Sequence, residues 1–167
     1  MMASILSRGS EVAPDHFIDF EASGIAPDSY LIEVAVVFPG GEYQALIQPE
    51  RYWDHWSHDG QHMHGLRREQ LIAEGKPPQA IAQELNRLFD SKILCSDNPA
   101  DCFWLDVLYE AAGIDPTFEV KPIEAFVGRE AASEILRRLP VRKGHRALQD
   151  AVALRMAAES WGGHDDS

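Results

Sequence analysis

The chain predicts an α/β fold: a mixed β-sheet with helices on its faces. Two features of the sequence point there. Short apolar, β-branched runs come first, two of them joined by a Pro39-Gly40-Gly41 turn, and later strand-like runs are separated by helical patterns. Size agrees as well. The 167 residues, 45% hydrophobic and 25% charged, suit one domain that buries roughly two-thirds of its unfolded surface.

The elements follow in order. Residues 1–14 read as a flexible N-terminal arm, 15–161 as the domain and 162–167 as a disordered polar tail. His16 to Phe20 is a buried strand ending in a Gly-containing turn. Leu31 to Phe38 and Glu42 to Ile47 form a hairpin. Residues 48–64, rich in Trp and His, read as an irregular loop, and loops of that length are often functional. Arg67 to Ala73 is a short helix. A second follows Pro77-Pro78 with Ile81, Leu85, Leu88 and Phe89 on one face. Ile93 to Cys95 is a short buried strand. Asp97 or Asn98 caps the next helix, which carries Pro99 in its first turn and stops at Gly113. Phe118 to Ile123 reads as a strand, and helices cover Glu124 to Leu139 and Arg146 to Trp161. There is no internal repeat.

Charge and cysteine content narrow the function. The chain has 27 acids against 15 bases, a net charge of −12. Proteins that grip long duplexes usually carry an excess of bases, so a protein that holds a strand end fits better. The bases Arg137, Arg138, Arg142, Lys143 and Arg146 crowd together; they read either as a phosphate-contacting patch or as a solvated helix end. Two cysteines make no disulfide framework, and a reducing compartment fits. Met1 to Ser10 lacks a signal-peptide core, and no run approaches the ~20 apolar residues of a membrane span. A cytoplasmic protein is the expectation.

Three short segments carry the chemistry. Asp19 and Glu21 lie two apart on a strand, so they share a face. Two acids on one face of an apolar strand repel each other unless compensated, and Mg²⁺ or Mn²⁺ compensates them through carboxylate oxygens. An exposed edge strand with solvated acids is the other reading, and Phe17, Ile18 and Phe20 oppose it. Asp101 falls in the first turn of a helix after a buried strand, where an acid either complements the helix dipole or aims into a site. Asp97, at the strand end itself, competes for that role. His145 precedes the last helix and is either a surface histidine or a general base. Asp150, on that helix, is either solvated or a fourth ligand. His55, His58, His62 and His64 do not form a zinc pattern, and no cysteine is near them.

Together these segments resemble the DEDDh family of 3′–5′ exonucleases, which includes ribonuclease T, oligoribonuclease and the proofreading subunit of bacterial DNA polymerase III. Asp19, Glu21, Ser23 and Gly24 match the first motif, Asp101, Trp104 and Leu105 the second, and His145, Ala147 and Asp150 the third. His64-Gly65-Leu66 followed by Glu69 resembles the family's His-Gly-Ile segment. The second motif departs from the usual His-Asn-x-x-Phe-Asp: Asp97 stands where a His often does and Ala100 precedes Asp101. Helix phase and Trp104-Leu105 favour Asp101 over Asp97.

The resemblance implies a ribonuclease H-like fold with a five-stranded mixed sheet. It implies two Mg²⁺ or Mn²⁺ ions on Asp19, Glu21, Asp101 and Asp150, with His145 taking a proton from the attacking water. The substrate would be a single-stranded RNA or DNA 3′ end, shortened to 5′ mononucleotides. Backbone at Ala22, Ser23 and Gly24 would approach the terminal nucleotide. Phe20, Trp53 and Trp56 would offer stacking faces, His64 would approach the substrate and Arg146 a phosphate, while Trp104 reads as core. Family members are often homodimers, so a second copy is a candidate partner. Two other classes compete: a non-catalytic nucleic-acid or protein-binding module on the same fold, and a phosphohydrolase of free nucleotides.

Overall fold

The computed structural model describes residues 12–141 and 145–162. Most of the expected arm, Arg142, Lys143 and the tail beyond Gly162 lie outside the described residues. Five strands form one sheet: β1 (Phe17–Ala22), β2 (Leu31–Phe38), β3 (Gly41–Leu46), β4 (Ile93–Ser96) and β5 (Glu119–Pro122), in the order β3-β2-β1-β4-β5. The first three pair antiparallel, whereas β4 runs parallel to β1 and β5 parallel to β4. This is the five-stranded mixed sheet that the resemblance implies.

Among the described residues, seven helices flank the sheet: α1 (His58–His64), α2 (Arg68–Glu74), α3 (Pro78–Phe89), α4 (Ala100–Ala112), α5 (Glu124–Val127), α6 (Arg129–Arg137) and α7 (Ala147–Gly162). Alternation along β1 sends its side chains to two cores. Ile18 and Phe20 join Leu85, Phe89, Leu105 and Leu108 beneath α3 and α4. Phe17 joins Cys95, Ile135 and Leu154 beneath α6 and α7. Asp19 and Glu21 share the Phe17 face, which is how an apolar strand comes to present two acids toward α7. No helix among the described residues is long and apolar enough to cross a membrane.

Two local expectations need correction. The loop expected over 48–64 ends in a helical turn, α1, because Ser57 Oγ accepts the Gly60 N–H at 3.0 Å and caps it. That turn has no apolar periodicity, so the sequence pattern could not register it. The single helix expected over Glu124 to Leu139 breaks into α5 and α6 at Gly128, whose φ of 84° a residue with a side chain rarely adopts. By contrast, α4 stops at Gly113 as read from the sequence, and α3 starts at Pro78, one residue before the expected start.

Candidate active site

Parallel β4 pairs with β1 at Cys95 and Phe17 and ends one residue later, at Ser96, so the segment after it runs beside the acids of β1; sites in open α/β sheets form at such strand ends. A register shift follows Glu21, where the β1–β2 ladder is interrupted and the chain turns away. Asn98 Oδ1 accepts the Ala100 N–H at 2.9 Å and starts α4, which puts Asp101 in its first turn. The Asp150 N–H donates to Arg146 O at 3.1 Å and starts α7, with Asp150 likewise in the first turn. Three elements distant in sequence thus bring their acids to one cleft of about 690 Å³.

Asp19, Glu21, Asp101, His145 and Asp150 all line this cleft, and so does Asp97. They fall into two groups. The donor atoms of Asp19, Asp97 and Asp101 lie within 4.8 Å of one another, and those of Glu21, His145 and Asp150 do likewise. The choice between Asp97 and Asp101 therefore dissolves: both acids reach the same point. Asp97 is the member of the cluster that motif matching passed over, although its place at the strand end was the signal for it.

The electrostatics are those of a site made for positive charge. Burial, then the charges of Asp101, Asp97, Glu21 and Asp150, holds the Asp19 carboxyl well above the usual carboxylate range. Burial and the bond to Asp150 push Glu21 up to about 8. Burial and the charge of Asp97 push Asp101 up to about 8, against a hydrogen bond from Ser96. Asp97 is raised by burial and by Asp150. Asp19 Oδ2 and Asp101 Oδ2 are buried and have no hydrogen-bond partner among the described residues. Buried carboxylate oxygens that lack protein donors and crowd other carboxylates fit a hard divalent cation.

His145 Nδ1 lies 3.9 Å from Asp150 Oδ2, close but too long for a hydrogen bond. Its backbone N–H donates to Met63 O at 2.8 Å, which fixes its segment to the end of α1. His64 is 4% exposed. Its Nδ1 accepts the Leu66 N–H at 3.0 Å, so Nε2 carries the proton in the neutral ring, and that atom has no partner among the described residues. Burial, with the charge of Arg146 second, lowers its pKa to about 4 and keeps the ring neutral.

The expected substrate-binding residues divide. Ala22, Gly24 and His64 line the cleft, and Phe20 borders it although its ring is in the core. Ser23 is buried; its hydroxyl accepts the Tyr30 N–H at 3.1 Å and its own N–H donates to Tyr30 O. Neither loop tryptophan lines the cleft. Trp53 is 7% exposed and stacked on Tyr30, while Trp56 is half-buried and donates to Gln61. Trp104, read as core, does pack against the core and, half-buried, also borders the cleft. Arg146 also turns away from the cleft: its Nε donates to Glu33 Oε2 at 2.7 Å. Gly60 permits the close approach of α1, since a Cβ there would stand 2.7 Å from the Ser23 carbonyl oxygen.

No protein-family model matches the chain, and no curated protein matches it in sequence. Solved structures do match in fold. Exonuclease I of E. coli in complex with a 5cy-dA13 oligonucleotide superposes with a TM-score of 0.64 over 86% of this chain at 15% identity. Exonuclease I of Methylocaldum szegediense does so with 0.68 over 90% at 13% identity. The metal-free E. coli exonuclease I–ssDNA complex gives 0.68 over 90% at 16% identity. This chain spans 39%, 41% and 40% of those three chains. The chain thus shares its α/β fold, a five-stranded mixed sheet flanked by helices, with these exonuclease I structures.

Proposed function

We propose that the chain is a metal-dependent 3′–5′ exonuclease that releases 5′ mononucleotides from single-stranded RNA or DNA ends. The observation that carries this reading is two clusters of metal-ligating side chains in one cleft, with buried oxygens of Asp19 and Asp101 that no described donor satisfies. The fold neighbours, several of them complexes with single-stranded oligonucleotides, support it. The free cysteines, Cys95 and Cys102, agree with a cytoplasmic setting.

Asp19, Asp97 and Asp101 would hold one Mg²⁺ or Mn²⁺, and Glu21 and Asp150 a second. Such ions, when bound, acidify a water and neutralise charge on the phosphate oxygens. Beside that positive charge, Glu21 and Asp101 stay ionised at neutral pH despite their burial. His145 accepts the proton of the attacking water at Nε2, because Nδ1 faces Asp150. Ala22 and Gly24 leave room for the sugar, and Trp104 offers a face to a base.

The test uses 5′-labelled RNA and DNA of one sequence with Mg²⁺ or Mn²⁺, an EDTA control and the Asp150→Ala variant. A metal-dependent ladder shortening from the 3′ end, absent in the variant, is the expected result. His145→Ala should slow it by about 10²–10⁴-fold, the usual contribution of a general base. If neither strand shortens in either metal, the reading fails, and phosphate release from free nucleotides becomes the next assay.

A further inference from the structure

Glu33 is a charge that the proposed chemistry does not use. It lies within the apolar strand β2, with a side chain 0% exposed, directly opposite Glu21 in the β1–β2 ladder. Both of its oxygens are engaged: Gln44 Nε2 donates to Oε1 at 2.8 Å and Arg146 Nε to Oε2 at 2.7 Å. An ion pair with one member fully buried is poor evidence for stability, because the desolvation of that member offsets much of the attraction, and an apolar pair of similar size often serves as well. The location of Arg146 gives the pair another use. Arg146 directly follows His145, and its carbonyl accepts the Asp150 N–H that opens α7.

We propose that Glu33 and Arg146 form a strap that positions His145 and Asp150 over Glu21, making Arg146 a positioning residue and not a phosphate ligand. The strap ties the start of α7 to β2, the strand whose Glu33 faces Glu21. The Arg146 side chain provides one anchor, and the His145 N–H bond to Met63 O provides a second. Gln44, on β3, holds the other oxygen of Glu33 and so fixes the direction in which the carboxylate presents itself. Two groups of the cleft thus take their place from a pair that does not itself line it.

The strap rests on the exonuclease reading for its purpose but not for its test. The informative variant is the neutral double change Glu33→Gln with Arg146→Met, which leaves no buried charge unpaired and so should fold. Thermal unfolding establishes that it does. In Mg²⁺-loaded protein, kcat on a labelled single strand should fall about 10²-fold with KM unchanged, the cost of misplacing reacting groups by about 1 Å. In a His145→Ala background the same double change should cost clearly less, because part of its effect acts through the missing imidazole. The His145 side-chain NMR signals should move toward those of a solvated histidine while the His16 signals stay in place. A folded double variant with wild-type kcat and wild-type His145 signals overturns the proposal, as does a raised KM at constant kcat, the signature of a phosphate ligand. If wild-type protein hydrolyses no strand, the exonuclease reading fails, and the His145 signals alone decide the strap.

Discussion

Two glutamates face each other across the β1–β2 ladder, and they live under opposite conditions. Glu33 has a guanidinium on one oxygen and an amide on the other. Glu21, on the same face, sits among Asp150, Glu33 and Asp101, with a proton affinity pushed up to about 8. Like charges directly opposite in a sheet are destabilising, so the pair is tolerable only if one member is neutralised from within the protein and the other from outside it. Burial of a carboxylate therefore does not by itself mark a reactive site. What marks it is a missing compensator, and the cleft brings together Asp19, Glu21, Asp97 and Asp101, all with proton affinity raised by burial and by one another or by Asp150.

Substituting each glutamate by its amide separates the two conditions most sharply. Glu21→Gln should abolish strand hydrolysis, by about 10³-fold or more. It should also stabilise the metal-free protein by about 1–2 kcal/mol, raising Tm by roughly 3–6 °C in a chain of this size. Glu33→Gln should have the reverse sign, lowering Tm by a similar amount, because a charged hydrogen bond is lost. Calorimetry on both variants checks this, and equal signs would erase the distinction.

A smaller effect follows from pH. Between the ordinary carboxylate values and about 8, the folded metal-free protein binds more protons at Glu21 and Asp101 than the unfolded chain does. Its stability should therefore be greatest near pH 5 and fall as pH rises to 8. Mn²⁺ or Mg²⁺ should raise Tm, and more at pH 8 than at pH 5, because at low pH protons compete for the same oxygens. A metal-induced shift independent of pH would contradict the assigned ligands. The smallest predicted effect is steric. Gly60→Ala must push α1 off the Ser23 carbonyl, so it should weaken single-strand binding several-fold with the sheet intact, as a filter-binding titration would show.

What was legible in the sequence was whatever short-range pattern governs. Period-two alternation put Asp19 and Glu21 on one face, and prolines and glycines marked the ends of α3 and α4. Four acids and His145 could be picked out because each stands at a strand end or a helix start. Long-range pairing was hidden. Glu33 stands out as the one acid in an otherwise apolar strand, yet its partner lies 113 residues away. Trp53 and Trp56 looked available for stacking because their loop is polar, but Tyr30 and Gln61 occupy them. Trp104 looked like core because it sits on an apolar helix, and only the position of the cleft shows its half-exposed face.

The packing of α7 on β1 and β2 has a consequence for the life of the chain before it is folded. The last described helix completes a cleft whose first two acids belong to the first strand. Closing so long a loop is slow, and the pairing of β1 with β4 is likewise non-local. During synthesis, which proceeds from the N-terminus, Asp19 and Glu21 are made long before Asp150 and His145. A chain made only as far as α6 thus carries all of the Asp19, Asp97 and Asp101 group but only Glu21 of the second, and on the proposed reading it should not cut nucleic acid. Hydrolytic competence would arrive in one late step, when α7 docks.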